Sequence, residues 1–164
     1  MKVLRTYYIF LFSSVVISQE NEAIKYEDLY ERKGLIYASD QDSSFNGTVD
    51  ENWPTGIKKL SYNYKNGKPD SKWSDWFNNG QPKEEVEYSN GIKNGLHKQW
   101  YKNGQQKFER TYKNGIHDGK WTEWYENGQF MVEGNFLDGK PNGTWTYWYP
   151  NGQKREEGNP VSSD

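Results

Sequence analysis

The chain has no cysteine. That excludes a disulfide framework, a thiol nucleophile, a thiolate zinc site and a lipidated cysteine anchor. It has two histidines, His97 and His117, and neither stands in a spaced ligand motif such as His-Glu-x-x-His. No Gly-x-Ser-x-Gly elbow is present. The stretch from Gly134 to Lys140 begins like a phosphate loop, but Pro141 stands where a Ser or Thr must hold magnesium. These absences leave no catalytic constellation, so the expectation is a protein that is not an enzyme and needs no cofactor or metal. The net charge of −2 removes the bulk electrostatic case for nucleic acid. Apolar residues make up only 32% of the chain, too few for a deep aliphatic core.

Aromatic residues are plentiful by contrast, at 17% with 8 Trp and 13 Tyr. Disordered chains are poor in such residues, so the chain is read as folded. Wide, amphipathic rings suit a thin structure with little interior. The one long uncharged apolar run, Tyr7 to Ile17, follows Lys2 and Arg5 and precedes Ser18. It is short for a membrane span, so residues 1–18 read as a signal peptide, which implies export to the periplasm, cell envelope or exterior. Residues 19–52 hold nine acids and three bases, and residues 19–28 are expected to be loosely ordered.

From there the chain repeats with a period of 24 residues. Gly80, Gly104, Gly128 and Gly152 form one column, and Gly67, Gly91, Gly115 and Gly139 a second. Trp76, Trp100, Trp124 and Trp148 form a third, each followed by Phe77, Tyr101, Tyr125 or Tyr149. A degenerate earlier copy contains Gly47, Trp53 and Gly56. Asn-Gly occurs ten times and Asp-Gly twice, the strongest short-range signal for a tight hairpin. Each unit is read as two strands. In the third full copy these are Gln105–Tyr112 and Lys120–Tyr125, with a turn from Lys113 to Gly119 between them. Short connections force antiparallel neighbours, so the expected fold is all-β, an elongated single-file meander of antiparallel hairpins. The chain then divides into a signal peptide (1–18), a lead-in with a short strand or hairpin (19–44), the repeats (45–160) and a tail (161–164), with Pro160 blunting the last edge.

The pattern Tyr-x-Asn-Gly-x-x-x-Gly-x-Trp-x-x-Trp-Tyr-x-Asn-Gly, at Tyr112–Gly128 and again from Phe136 to Gly152, resembles the variant form of the MORN repeat over residues 45–160. Ser71 departs from the glycine column of Gly95, Gly119 and Gly143, and His97 from the column of Trp73, Trp121 and Trp145. The lead-in Leu29–Tyr37 is similar to the start of bacterial proteins of this group, many of which carry an antitoxin label. The resemblance implies a repeat sheet. It also implies, as alternatives, an antitoxin-like or immunity protein neutralising a partner toxin, or an envelope- or membrane-associated module.

The period of two along a strand puts Phe108, Arg110 and Tyr112 on one face and Lys107, Glu109 and Thr111 on the other. On the second strand it points Trp121 and Tyr125 one way and Trp124 the other. Trp76, Trp100, Trp124 and Trp148 are expected to supply the core of a thin sheet. Candidate binding rings are Trp73, Phe77, Trp100, Tyr101, Trp121, Tyr125, Trp145 and Tyr149. Such a surface suits a protein partner or a second copy of the chain, with a glycan as the other class of ligand. Glu85, Glu109, Glu133 and Glu157 form a carboxylate column. At roughly 10 Å spacing it cannot share one metal, and it is read as a solvated face with basic neighbours such as Lys83, Lys107 and Arg155.

Overall fold

The computed structural model of the chain describes residues 24–39 and 41–159. The leader read at residues 1–18, Pro160 and the tail 161–164 lie outside the described residues. After a 3₁₀ turn at Tyr26–Asp28 come β1 (Leu29–Arg32), β2 (Leu35–Ala38), β3 (Gly47–Asn52), β4 (Lys58–Lys65) and β5 (Lys68–Pro69). Then follow β6 (Ser71–Trp76), β7 (Pro82–Ser89), β8 (Ile92–Trp100), β9 (Gln106–Lys113) and β10 (Ile116–Trp124). The chain ends with β11 (Phe130–Leu137), β12 (Lys140–Trp148) and β13 (Lys154–Gly158). Strands β3 to β13 form one 11-stranded antiparallel sheet in chain order, with β5 pairing only with β4. The fold is an all-β meander of consecutive hairpins.

Two kinds of turn alternate. One end of the sheet carries tight Asn-Gly or Asp-Gly turns. At Asn114-Gly115 both residues have positive φ, 51° and 82°, which the primed hairpin turn requires. The turn is therefore two residues long, shorter than the Lys113–Gly119 span expected from sequence. Ile116 to Gly119 belong to β10, and the register slips between His117 and Trp121 instead. The other end carries wider loops. In Tyr101–Gln105 the Tyr101 amide donates to the Gln105 carbonyl at 2.8 Å, and the Gly104 amide to the Tyr101 carbonyl at 2.9 Å. A bulge follows each such loop: opposite Gln99 and Trp100 the ladder skips Lys107, and opposite Glu123 and Trp124 it skips Met131.

Turns also bond from copy to copy. The amides of Gly67, Gly91, Gly115 and Gly139 donate to the carbonyls of Phe45, Pro69, Lys93 and His117 in the preceding copy, at 2.7–2.9 Å. Beside them the amides of Asn66, Asn90 and Asn114 donate to the side chains of Asn46, Asp70 and Asn94 at 2.7–3.0 Å. At the wide loops Asn79, Asn103 and Asn127 donate forward to the carbonyls of Lys102, Glu126 and Pro150. Backbone groups that a lone hairpin would leave to water are thus satisfied by its neighbour.

The lead-in is more ordered than its composition suggests. Tyr26 sets its ring edge-on to Tyr62, with centroids 5.8 Å apart. The β1–β2 hairpin packs on the first repeat hairpin, and Ala38, Phe45, Val49, Leu60 and Tyr64 form the buried cluster between them. The Ile36 amide donates to the Gly67 carbonyl and the Phe45 amide to the Ile36 carbonyl, both at 2.8 Å. Among the described residues this is the one place where a second layer covers the sheet.

Ser71 breaks the strand. It holds φ 63° in a column whose glycines have φ of 72–119°, and β5 and β6 part beside it. A left-handed conformation costs a residue with a Cβ about 1–2 kcal/mol. Ser71→Gly is therefore expected to stabilise the protein by about 1 kcal/mol. Chemical denaturation would check this as a rise in midpoint at unchanged slope.

Candidate functional site

Residues paired across an antiparallel ladder share a face, and the pairings sort the rings. Trp73 pairs with Val86, His97 with both Val86 and Arg110, Trp121 with Arg110 and Gly134, and Trp145 with Gly158. These residues therefore share one face with Tyr62, Tyr64, Tyr88, Phe108, Tyr112 and Phe136. Trp124 pairs with Phe130 beyond the bulge and points to the opposite face. The eight candidate rings accordingly fall in three places. Trp73, Trp121 and Trp145 lie on the ring face, and Trp100 lies on the opposite face. Phe77, Tyr101, Tyr125 and Tyr149 lie along the wide-loop end, where the Tyr101 and Tyr125 hydroxyls donate to the carbonyls of Trp124 and Trp148.

Along the ring face the aromatic groups touch in sequence. Tyr62 stacks on Trp73 at 4.2 Å, and Trp73 meets Tyr88 at 5.1 Å. His97 meets Phe108 at 4.8 Å and Tyr112 at 5.9 Å, and Tyr112 meets His117 at 4.4 Å. His117 continues to Trp121 at 4.8 Å, Trp121 to Phe136 at 5.2 Å and Phe136 to Trp145 at 5.1 Å. The Arg110 guanidinium lies 4.0 Å from the centroids of both Phe108 and Trp121 and bonds Glu123. This is a cation between two rings, a geometry that attracts through the ring quadrupoles.

Exposure along the ladder is uneven. Trp121 and Trp73 are half-buried, but Trp145 is only 6% exposed and is part of the core rather than an open binding ring. A Cβ on Gly134 would fall 2.3 Å from the Trp145 ring, so the indole lies against bare backbone. The expected core column, Trp76, Trp100, Trp124 and Trp148, is half-buried throughout. The most buried repeat positions are instead Val49 and Thr122, followed by Leu60, Ser74, Val86, His97, Trp145, Phe108, Val132 and Tyr64. Standing three residues after Trp121, Trp124 lies on the opposite face by alternation alone, away from the ring ladder that packs on Trp145.

His97 takes a tryptophan's place as a hydrogen-bonded ring. The Lys93 ammonium donates to Nδ1 at 3.2 Å, so Nε2 carries the ring proton and donates to Glu84 at 2.7 Å. That bond holds the Glu84 carboxyl below its ordinary range. Tyr62 donates to both Asp75 oxygens at 2.8 and 3.0 Å. The opposite face is charged and paired. Lys72, Lys98 and Lys120 reach Glu85, Glu109 and Glu133 at 2.6, 3.0 and 3.1 Å, and Lys154 reaches Glu157 at 2.6 Å. These partners come largely from the neighbouring strand, not from Lys83, Lys107 and Arg155. Among the described residues no three His, Cys, Asp or Glu side chains are placed to hold a metal ion.

The hairpins stack into a repeat sheet with one aromatic face and one ion-paired face. The sequence model of the MORN repeat variant matches residues 69–90, 93–114, 118–138 and 141–159, and the chain belongs to this family. Membership points to a repeat module that binds protein. No curated relative matches the chain. The β3–β4 hairpin precedes the matched segments but bonds to the next copy through the same turn contacts.

Two outcomes follow from the ring face. Gly134→Ala must displace the Trp145 indole and is expected to destabilise by about 1–3 kcal/mol, read by denaturation together with a changed tryptophan emission. The second outcome concerns His117. Burial first, then the charges of Arg110 and Lys93, hold its imidazole below the ordinary range, and its Nδ1 is buried without a partner. The unfolded chain therefore takes up this proton first. The stabilisation is full above about pH 6.5 and is lost as pH falls through that value toward the depressed one. The melting temperature should fall between about pH 7.5 and 5.5, and fall less in His117→Gln.

Proposed function

We propose that the chain is a non-catalytic, exported interaction module that takes a protein partner on its ring face. The carrying observation is the aromatic ladder beyond Trp73, one contact to Tyr88 and then an unbroken run from His97 to Trp145, which the N-terminal hairpin leaves without a covering layer. Aromatic rings and arginine are the residues most enriched where proteins bind tightly. Here Tyr112 packs against His97 and His117, and Trp121 against His117 and Arg110, so little side-chain freedom remains to be lost on binding. The Lys–Glu face, paired within itself, offers a partner little unsatisfied charge. Export rests on the leader read at residues 1–18, and recovery of protein beginning at Gln19 from outside the cytoplasm would support it.

A photo-crosslinking residue at Tyr112 is expected to capture the partner, while one at Lys120 on the opposite face is not. Trp121→Ala should weaken capture by about tenfold or more with the sheet intact by far-UV circular dichroism. Trp145→Ala, which opens the core, serves as the folding control. Equal capture from both faces would count against the ring face as the docking surface.

A further inference from the structure

The β3–β4 and β6–β7 loops enclose an open cleft of about 310 Å³, lined by Trp53, Trp76, Phe77, Asn78, Lys83 and Lys102. It is held in shape by bonds already made. Trp53 Nε1 donates to the Trp76 carbonyl at 3.2 Å, and Asn79 donates to the Lys102 carbonyl at 3.1 Å. The walls are two indoles and a phenyl ring, and two ammonium groups and an amide stand at the rim.

Those two ammonium groups differ from the lysines around them. Lys58 pairs with Asp50 at 3.0 Å and Lys59 with Glu51 at 2.8 Å. Among the described residues Lys83 and Lys102 make no ion pair or side-chain hydrogen bond. Asp75 and Glu84 feel the charge of Lys83 but are bonded elsewhere, to Tyr62 and His97. The repeat itself does not require the arrangement. The Trp53 position holds Phe77, Tyr101, Tyr125 or Tyr149 in later copies, and the Lys102 position holds Asn78, Glu126 or Pro150. The other residues in register with Lys83 are Lys59, which is paired, Lys107 over Tyr101, Met131, and Arg155 over Tyr147. Only at this cleft does an indole wall meet two unpaired cations.

We propose that this cleft receives an acidic segment of a partner protein, with one aromatic or aliphatic side chain between the rings and flanking carboxylates on Lys83 and Lys102. The volume is at the lower end of small-ligand pockets and suits a single side chain rather than a folded surface. The charge of the rim sets the sign of the partner, and two positioned cations give selectivity and association rate more than raw affinity. The inference rests on the protein-binding reading and adds to it a second contact, at the wide-loop end.

The test uses the full chain and the peptide Ac-Glu-Glu-Phe-Glu-Glu-NH2, titrated at low salt and followed by tryptophan emission and calorimetry. Saturable binding is expected, weakened about tenfold by Lys83→Glu with Lys102→Glu, by Trp53→Ala and by raised salt. The milder pair Lys83→Gln with Lys102→Gln should weaken binding too while leaving the melting curve unchanged, because neither ammonium is used in folding. The Lys-Lys-Phe-Lys-Lys and Glu-Glu-Gly-Glu-Glu analogues should bind at least about tenfold more weakly. Indifference to both lysine pairs, equal binding of the basic peptide, or tighter binding of tri-galacturonate would overturn the proposal. Failure here with Tyr112 crosslinking retained sinks the cleft alone. Peptide binding retained without the crosslink sinks the ring face alone.

Discussion

A hairpin in a sheet one layer thick has nothing above it to bury against, so it must close on the hairpin beside it. In this chain that closure is made by the turn amides. Gly91, Gly115 and Gly139 each donate to a carbonyl 22 residues earlier, and the preceding Asn90 and Asn114 amides go to side chains 20 residues earlier. Each bond is modest alone, about 1 kcal/mol net. Their recurrence at both ends of every strand pair fixes the position of each copy on the last. Fixing the turns fixes the register, and the register decides which rings meet. Stability is then a sum of local hairpins and nearest-neighbour contacts, as in other one-dimensional repeats.

The ring face follows from that geometry. With strands held in chain order, side chains of the same sign of alternation come together every second residue, and aromatic groups span the distance between them. Where the ring from the next strand needs room, the column supplies it. The sequence of Tyr62, Val86, Arg110 and Gly134 runs from a ring that stacks on Trp73 to a glycine that lets Trp145 lie on the backbone. Arg110 stands between these extremes, filling space with a flat cation that two rings hold. Polar residues in the ladder differ in how far they are satisfied: His97 is bonded to Glu84 and Lys93, whereas His117 leaves its Nδ1 buried without a partner.

The hairpins and their order were legible in the sequence because Asn-Gly turn chemistry and a period of 24 act locally. The division of faces was legible from Phe108 to Tyr112 in β9 and for Trp121 against Trp124 in β10, where alternation is unbroken. It was not legible at Lys107, which the register shift opposite Gln99 and Trp100 leaves without a ladder partner and which nothing in the sequence announces. The order at Tyr26 was hidden for a different reason. The acidic composition of its neighbours is that of a loose segment, and only the ring of Tyr62, 36 positions on, gives it somewhere to rest. Candidate rings chosen by column were for the same reason spread over three surfaces. A column tells which residues are equivalent but not which neighbours lie above them.

Departures from the repeat are informative in proportion to what the repeat needs. Ser71 sits where a glycine conformation is required and, though its backbone pairs with Tyr88, its one side-chain bond goes to the adjacent Asp70 rather than across the sheet. His97 replaces a tryptophan but is fully bonded, so the fold has absorbed it. Trp53, Lys83 and Lys102 are of a third kind. An indole pinned at the rim of a cleft with two amines outside any ion pair adds nothing to hairpin closure, turn geometry or ring stacking. A residue set that the scaffold neither requires nor uses, gathered at one of several equivalent loops, is where a uniform array acquires a particular place to bind.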